Sequence, residues 1–314
     1  MKRISEITYT YDENLLQKAK KLLLNIKAQK HTYTESILFD SFHSATIEGA
    51  RTTIEQVRKS LTNPKTKSDK MVANNVKVLN YVYNGTKITD DNIRQLWEIL
   101  VHGCCENEQL AGTKYRSGMV YIGSATEIVH VPAKTEDIQE YMTDLFNWIY
   151  IVDNEDCIIK AIVAHMYFVY IHPFCDGNGR MARILMNSLL FQSGYTNVKY
   201  LNISASIRTY LSMYYKTMLL SEHNAMNISP FVDYMLKVIV HACEEQLKQQ
   251  YKLSDKEKIL ISKIKTDITV KKAAKMLKAS ESTARDYLNK LTDKGLLVKR
   301  KENGKSIYSK PITF

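Results

Sequence analysis

Leu15, Leu16, Ala19, Leu22, Leu23 and Ile26 recur at helical spacing, and Ile93, Leu96, Trp97 and Leu100 repeat the pattern further on. Only five prolines interrupt the chain, so long helices are predicted to run unbroken. The exception is 115–132, where Val120, Tyr121 and Ile122, then Ile128, Val129 and Val131, flank a polar turn at Gly123–Glu127. That alternation predicts a β-hairpin, and a lone hairpin on a helical body leaves one edge open to pairing. Cys157–Ile171 is apolar nearly all round and predicts a central buried helix, ended by the residue before Pro173. A second helix opens near Gly179, with Met181, Ile184, Leu185, Ser188 and Leu189 on one face.

The tail follows another plan. Ile259, Leu260 and Ile264 begin one helix, and Ala273, Ala274 and Leu277 mark a second. Ser280 is placed to cap a third that turns Ala284, Leu288 and Leu291 inward and Ser282, Arg285 and Asn289 outward. A hairpin is predicted around Asn303-Gly304. We therefore expect a mainly α fold: an N-terminal helical region at 1–65, a core at 66–245, a linker at 246–253 and a winged helix-turn-helix at 254–314.

Charge separates the same two parts. Residues 252–314 hold 17 Lys and Arg against 7 Asp and Glu, which leaves 27 against 26 for the first 251 residues. The net charge of +11 therefore sits almost wholly in the tail. Lys299, Arg300 and Lys301 on the wing, with Ser282, Arg285 and Asn289 on the third helix, are the candidate DNA contacts. A protein-interaction module of the same shape is the alternative. No eighteen-residue apolar run predicts a membrane span, and no apolar run behind the N-terminus predicts a secretory signal. Five scattered cysteines read as reduced thiols in a cytoplasm.

The densest chemistry lies at His172-Pro-Phe-Cys-Asp-Gly-Asn-Gly-Arg-Met-Ala-Arg183. Gly177, Asn178 and Gly179 precede a helix, so backbone amides and the helix dipole can cradle an anion. Arg180 and Arg183 stand three apart, a spacing that predicts two guanidinium groups on one polyanion. Asp176 supplies a hard oxygen for Mg²⁺, and His172 is the nearby group able to accept a proton near neutrality. Base, metal ligand, anion cradle and charge clamp together point to phosphoryl or nucleotidyl transfer.

This segment resembles the signature of the Fic domain family, HPFx[D/E]GNGRxxR, at every specified position. Gly112-Thr-Lys-Tyr-Arg116 and the hairpin ending at Val131-Pro132 resemble the family's flap, although Ala133 stands where a second proline is common. Residues 208–236 resemble its closing helices. The resemblance implies a protein adenylyltransferase that moves AMP from ATP, with Mg²⁺, onto a Tyr, Ser or Thr hydroxyl of a target protein. His172 would be the base and Asp176 the Mg²⁺ ligand. Asn178 with the glycine amides would hold phosphate, and Arg180 and Arg183 the β- and γ-phosphates. Val120, Tyr121, Ile122 and Gly123 of the flap would take the target as an added strand.

Upstream, Ser44-Ala-Thr-Ile-Glu48-Gly49 resembles the family's inhibitory motif, [S/T]xxxE[G/N]. Ser44 and Glu48 share a helix face, so the carboxylate is predicted to pair in bidentate fashion with Arg183 and to exclude the γ-phosphate. The same Glu could position a water and favour AMP removal. A regulator that only senses nucleotide, and transfer from another nucleotide, are the other readings of this body. The expected partners are a protein target, DNA through the tail and a second copy of the chain, with no membrane. His102, Cys104 and Cys105 read as a helix-end cluster, Cys175 as packing, and His165 as a satisfied core histidine. Tyr214 and Tyr215 are candidates for a base pocket.

Overall fold

The computed structural model describes residues 1–27, 33–120, 122–123, 128–151, 155–250, 254–264, 267–293, 297–302 and 304–309. The chain separates into two units, Met1–Gln246 and Leu247–Phe314. The first begins with α1 (Glu13–Asn25), capped where the Asp12 carboxylate accepts the Asn14 and Leu15 amides. Next come α2 (Tyr33–Ile47), α3 (Ile54–Ser60), α4 (Lys67–Tyr83) and α5 (Ile93–Val101). The flap holds β1 (Ile122–Gly123) and β2 (Ile128–His130), paired antiparallel with an irregularity in register. Helices α6 (Ile138–Ile151), α7 (Cys157–Ile171), α8 (Asn178–Gln192), α9 (Ile203–Thr209), α10 (Leu211–His223) and α11 (Ser229–Gln250) follow. Among the described residues, no helix is long and apolar enough to cross a membrane.

The apolar pattern explains the centre. Of α7, only Cys157, Lys160, Val169 and Tyr170 escape full burial, and α8 is buried from Asn178 to Leu190 except at Gly179. These two helices form an antiparallel hairpin at the core, and the loop between them is 172–177. Each buried Ile, Leu or Phe there contributes about 1.5–3 kcal/mol of transfer free energy. The rigid centre of the unit therefore carries the loop with the densest chemistry.

Helix α2 departs from a simple apolar stripe. Ser36, Asp40 and Ser44 lie buried at i, i+4 spacing beside Ile37, Ser41 and Ala45. Asp40 accepts from the Ser204 amide at 2.7 Å and its hydroxyl at 3.1 Å, while Ser41 Oγ accepts from Asn75. Buried polar groups of this kind fix one register, since sliding the helix would orphan each of them.

Burial has a pH consequence. It lowers His43 to about 4, His165 to about 3 and His172 to about 4, and it raises Asp40 to about 6. Near pH 5 the unfolded chain would charge all three histidines while the folded chain keeps them neutral; Asp40 works in the opposite sense. Unfolding then takes up roughly two protons net, so stability should fall as pH drops from about 6.5 toward 4. Urea titrations at pH 7 and pH 5 check this. An unchanged midpoint would contradict it.

The second unit contains α12 (Asp255–Lys263), β3 (Ile268–Thr269), α13 (Val270–Leu277), α14 (Glu281–Asp293), β4 (Val298–Glu302) and β5 (Lys305–Ser309). Ser254 and Glu257 form a capping box on α12, and Ser280 Oγ accepts the Thr283 amide ahead of α14. Leu260, Ile264, Ala273, Leu277, Ala284, Leu288 and Leu291 build a separate core. The sheet is antiparallel in the order β3-β5-β4. Asn303 of the predicted turn lies outside the described residues; Gly304 beside it has φ 75°.

Candidate active site

The loop 172–177 is held from several sides. Asn178 donates Nδ2 to the Phe174 carbonyl at 2.7 Å and accepts the Phe174 amide at 2.9 Å. Its amide is therefore spent on the loop's shape, and in this structure it is a clamp rather than a phosphate ligand. Trp97 of α5 stacks on Phe174 at 4.8 Å and donates its indole N–H to the Asp176 carbonyl at 2.8 Å. Buried Arg116 donates to the carbonyls of His172 (2.9 Å), Gly118 (2.8 Å) and Ala133, and so ties the loop to both ends of the flap. Burial lowers the pKa of Arg116, the expected effect on a desolvated cation. Sequence reasoning gave Trp97 to the core and assigned Arg116 no task; the Gly112-x-x-x-Arg116 spacing was the available signal.

His172 caps α7 in the left-handed region, φ 52°, a strained setting for a residue with a Cβ. Its Nδ1 faces the Val169 carbonyl at 3.2 Å and so must carry a proton, which leaves Nε2 as the acceptor. Desolvation lowers its pKa to about 4, so the ring is neutral at physiological pH.

The two arginines do not share a target. Arg180, fully buried, turns toward α5: Nη1 reaches the Leu100 carbonyl (3.4 Å) and Cys104 Sγ (3.9 Å), and Nη2 reaches Asp176 Oδ1 (3.4 Å). Three residues apart on a helix is about 300° of rotation, and the outward course of each long side chain decides the rest. Arg180 therefore supports the loop from behind. Arg183, also buried, turns toward the end of α2, donating Nε to Ser44 Oγ (2.9 Å) and Nη2 to the Ser44 carbonyl (3.0 Å) and Glu48 Oε1 (2.8 Å). The Glu48 contact is single, not bidentate: Oε1 meets Nη2, which also serves the Ser44 carbonyl. Nη1 of Arg183 is buried with no partner among the described residues. Burial opposes the charge of Arg183, yet Glu48 and its neighbours hold its pKa above the ordinary value.

Glu48 ends α2, where Gly49 at φ 85° lets the Ala50 amide return to the Ala45 carbonyl at 3.0 Å. A carboxylate at a helix C-terminus is unfavourable there, but this one lies over the N-terminus of α8. A Cβ placed on Gly179 would fall 2.2 Å from Glu48 Oε1. Only glycine at 179 admits that approach. The anion site of α8 is thus filled by the chain's own carboxylate.

Asp176 Oδ2 accepts the Glu106 amide at 3.0 Å, and Oδ1 faces the Gly177 amide and Arg180. Its side chain is 23% exposed, so the carboxylate is partly open to solvent while both oxygens accept from the chain. Glu48, His172 and Gly179 share a cavity of about 460 Å³ with Tyr214, Tyr215, Met218, His130 and Glu222. Both candidate tyrosines therefore line it. His165 meets the Tyr214 hydroxyl at 2.8 Å through Nε2, but its Nδ1 lacks a partner among the described residues. His130 of β2 bridges the Tyr170 carbonyl (2.9 Å) and Glu222 (2.9 Å), a pair the sequence did not reveal.

On the flap, Val120 precedes β1 rather than forming it, Ile122 and Gly123 make the strand, and Tyr121 lies outside the described residues. Burial pushes the Cys175 thiol up to about 12, so it is held as a neutral thiol near pH 7. No cluster of three metal-binding side chains occurs among the described residues. In the second unit, Ser282 and Arg285 are exposed on α14, but Asn289 accepts from Lys299 (3.2 Å) and Tyr308 (3.0 Å). Arg300 pairs with Asp267, so its charge is partly spent within the unit, and Lys301 is exposed.

Fold and site together define a class: helical domains whose buried helix pair presents a histidine loop and a helix N-terminus to one cavity, beside a short flap. Residues 87–190 match the Fic/DOC family. A protein adenylyltransferase Fic from Nematostella vectensis is 30% identical over 186 residues, 55% of this chain and 40% of that protein. One from Drosophila persimilis is 29% identical over 217 residues, 62% and 41%. The chain thus spans about 40% of the length of these relatives. A Fic family protein from Desulfovibrio desulfuricans superposes with TM-score 0.69 at 22% identity, over 98% of this chain and 99% of that one. A Fic domain-containing signaling protein from Bacteroides thetaiotaomicron gives 0.58 at 23%, over 75% and 95%. At these identities the structures bear on fold alone.

Proposed function

We propose that this protein transfers AMP from ATP to a hydroxyl of a protein and that Glu48 holds it in an inhibited state. The observation that carries the reading is the shared cavity: a neutral histidine with an open Nε2 beside a helix N-terminus that already binds a carboxylate. An anion site that accepts Glu48 accepts phosphate by the same physics. His172 Nε2 would take the proton of the acceptor hydroxyl, whose oxygen attacks the α-phosphorus while pyrophosphate leaves. Arg183, released from Glu48, would hold the terminal phosphate. The residues fit Mg²⁺, since one part-exposed carboxylate at Asp176 beside a phosphate site is its usual protein share. Bound there, the ion would neutralise phosphate charge.

Incubation with ATP labelled at the α- or the γ-phosphorus tests the reaction class. AMP transfer places only the α-label on protein; phosphate transfer places only the γ-label. No label at all would favour nucleotide sensing, and loss of AMP from a pre-modified protein would favour the reverse direction. UTP or GTP in place of ATP, read by mass spectrometry, tests the donor.

The proposal extends to the second unit as a winged helix-turn-helix that meets DNA through exposed Ser282, Arg285, Lys299 and Lys301. Doubling the salt should weaken duplex binding steeply, and K299E/K301E should flatten that slope by about two counterions. Sedimentation of the full chain, with and without duplex, checks this and the expected pairing of two chains.

A further inference from the structure

Cys105 and Cys175 bring their sulfurs to 3.8 Å across seventy residues of sequence. Cys175 is buried in the loop 172–177, whereas Cys105, in the segment after α5, is partly exposed. Two more links join the same segments: the Glu106 amide donates to Asp176 Oδ2 at 3.0 Å, and Asn107 Nδ2 donates to the Cys175 carbonyl at 3.4 Å. The sulfurs are therefore joined to the carboxylate that the proposed reaction assigns to Mg²⁺.

We propose that Cys105 and Cys175 are an oxidative modification site, a thiol pair that a peroxide closes into a disulfide and that thereby lowers transfer at the adjoining site. This rests on the AMP-transfer reading for its consequence but not for its chemistry. Peroxide reaches the partly exposed Cys105 first: the thiol sulfur takes one peroxide oxygen to give a sulfenic acid, and one water leaves. The Cys175 sulfur then displaces the hydroxyl, its proton leaving with it as a second water, and the S–S bond forms. Closing 3.8 Å to a disulfide bond requires about 1.8 Å of movement. The catalytic loop is clamped by Trp97, Asn178 and Arg116, so segment 105–107 supplies the movement. Glu106 and Asn107 move with it, and Asp176 loses or shifts its amide contact. A shift of about 1 Å in a positioning group costs on the order of 100-fold in rate.

The test uses the full-length chain carrying Glu48→Gly, treated with hydrogen peroxide, alkylated and mapped by mass spectrometry without reduction. A Cys105–Cys175 linked peptide is expected, with labelling by ATP reduced at least tenfold and restored by dithiothreitol. Cys105→Ser should yield no linked peptide and keep its labelling through the same treatment. Failure to link, a linked peptide that persists in Cys105→Ser, or linkage without loss of labelling would each overturn the proposal. If the reduced Glu48→Gly chain does not label at all, AMP transfer is the reading that falls. The disulfide map then still decides this one.

Discussion

Glu48→Gly is expected to raise AMP incorporation about 10- to 100-fold. The carboxylate occupies the anion site at Gly179 and accepts from Arg183 Nη2 at 2.8 Å, so ATP must displace it to place its terminal phosphates there. A charge-assisted hydrogen bond contributes about 1.5–3 kcal/mol, which is the range of that factor. Glycine removes the carboxylate and leaves the end of α2 intact, because the turn depends on Gly49. Arg183 keeps Ser44, so the guanidinium stays in place for phosphate. The check is the adenylyl mass gained by the full-length chain with ATP and Mg²⁺, compared with wild type over time. Equal gain by both would mean that Glu48 is no brake.

Gly179 offers a contrasting change at the same spot. A methyl group there meets Glu48 Oε1 and lies 3.3 Å from Arg183 Nη1. Gly179→Ala should therefore expel the carboxylate and also crowd the phosphate site, so its labelling should stay well below that of Glu48→Gly. Equal labelling by the two variants would show that the site tolerates a methyl group and that the packing argument is wrong.

Much of this was legible along the chain. The α7 boundaries follow from an all-apolar run closed by His172-Pro173, and Ser280 marks the start of α14. The meeting of Glu48 with Arg183 was legible in kind, because motif residues carried it across 135 positions. What the sequence could not fix was direction within a helix. Arg180 and Arg183 look equivalent in spacing, yet one faces Leu100 and Cys104 while the other faces Ser44. Likewise, Asn178 resembled a ligand until Phe174 was seen to use both ends of its amide. Side-chain direction depends on what the rest of the fold brings near, and that information is non-local. Tail charges show the same limit: Arg300 counts toward a basic patch in the sequence, but in space it faces Asp267.

His172→Asn is expected to lower transfer by about 100- to 10,000-fold in the Glu48→Gly background. Asparagine tolerates the left-handed backbone at φ 52° and can still donate to the Val169 carbonyl, so the loop keeps its shape. Alanine would lose that contact and add backbone strain, which confounds chemistry with folding. The asparagine variant should therefore bind an unreactive ATP analogue as tightly as its parent while its labelling collapses. In the parent, protonating Nε2 blocks the base. With the pKa lowered to about 4, the neutral form dominates throughout pH 6–8, and the rate should show no inflection there from this group. Below about pH 4 the rate should fall tenfold per unit, in proportion to the neutral fraction. An inflection near 6.5 that disappears in His172→Asn would instead place the ring in water, and the desolvated base would have to be abandoned.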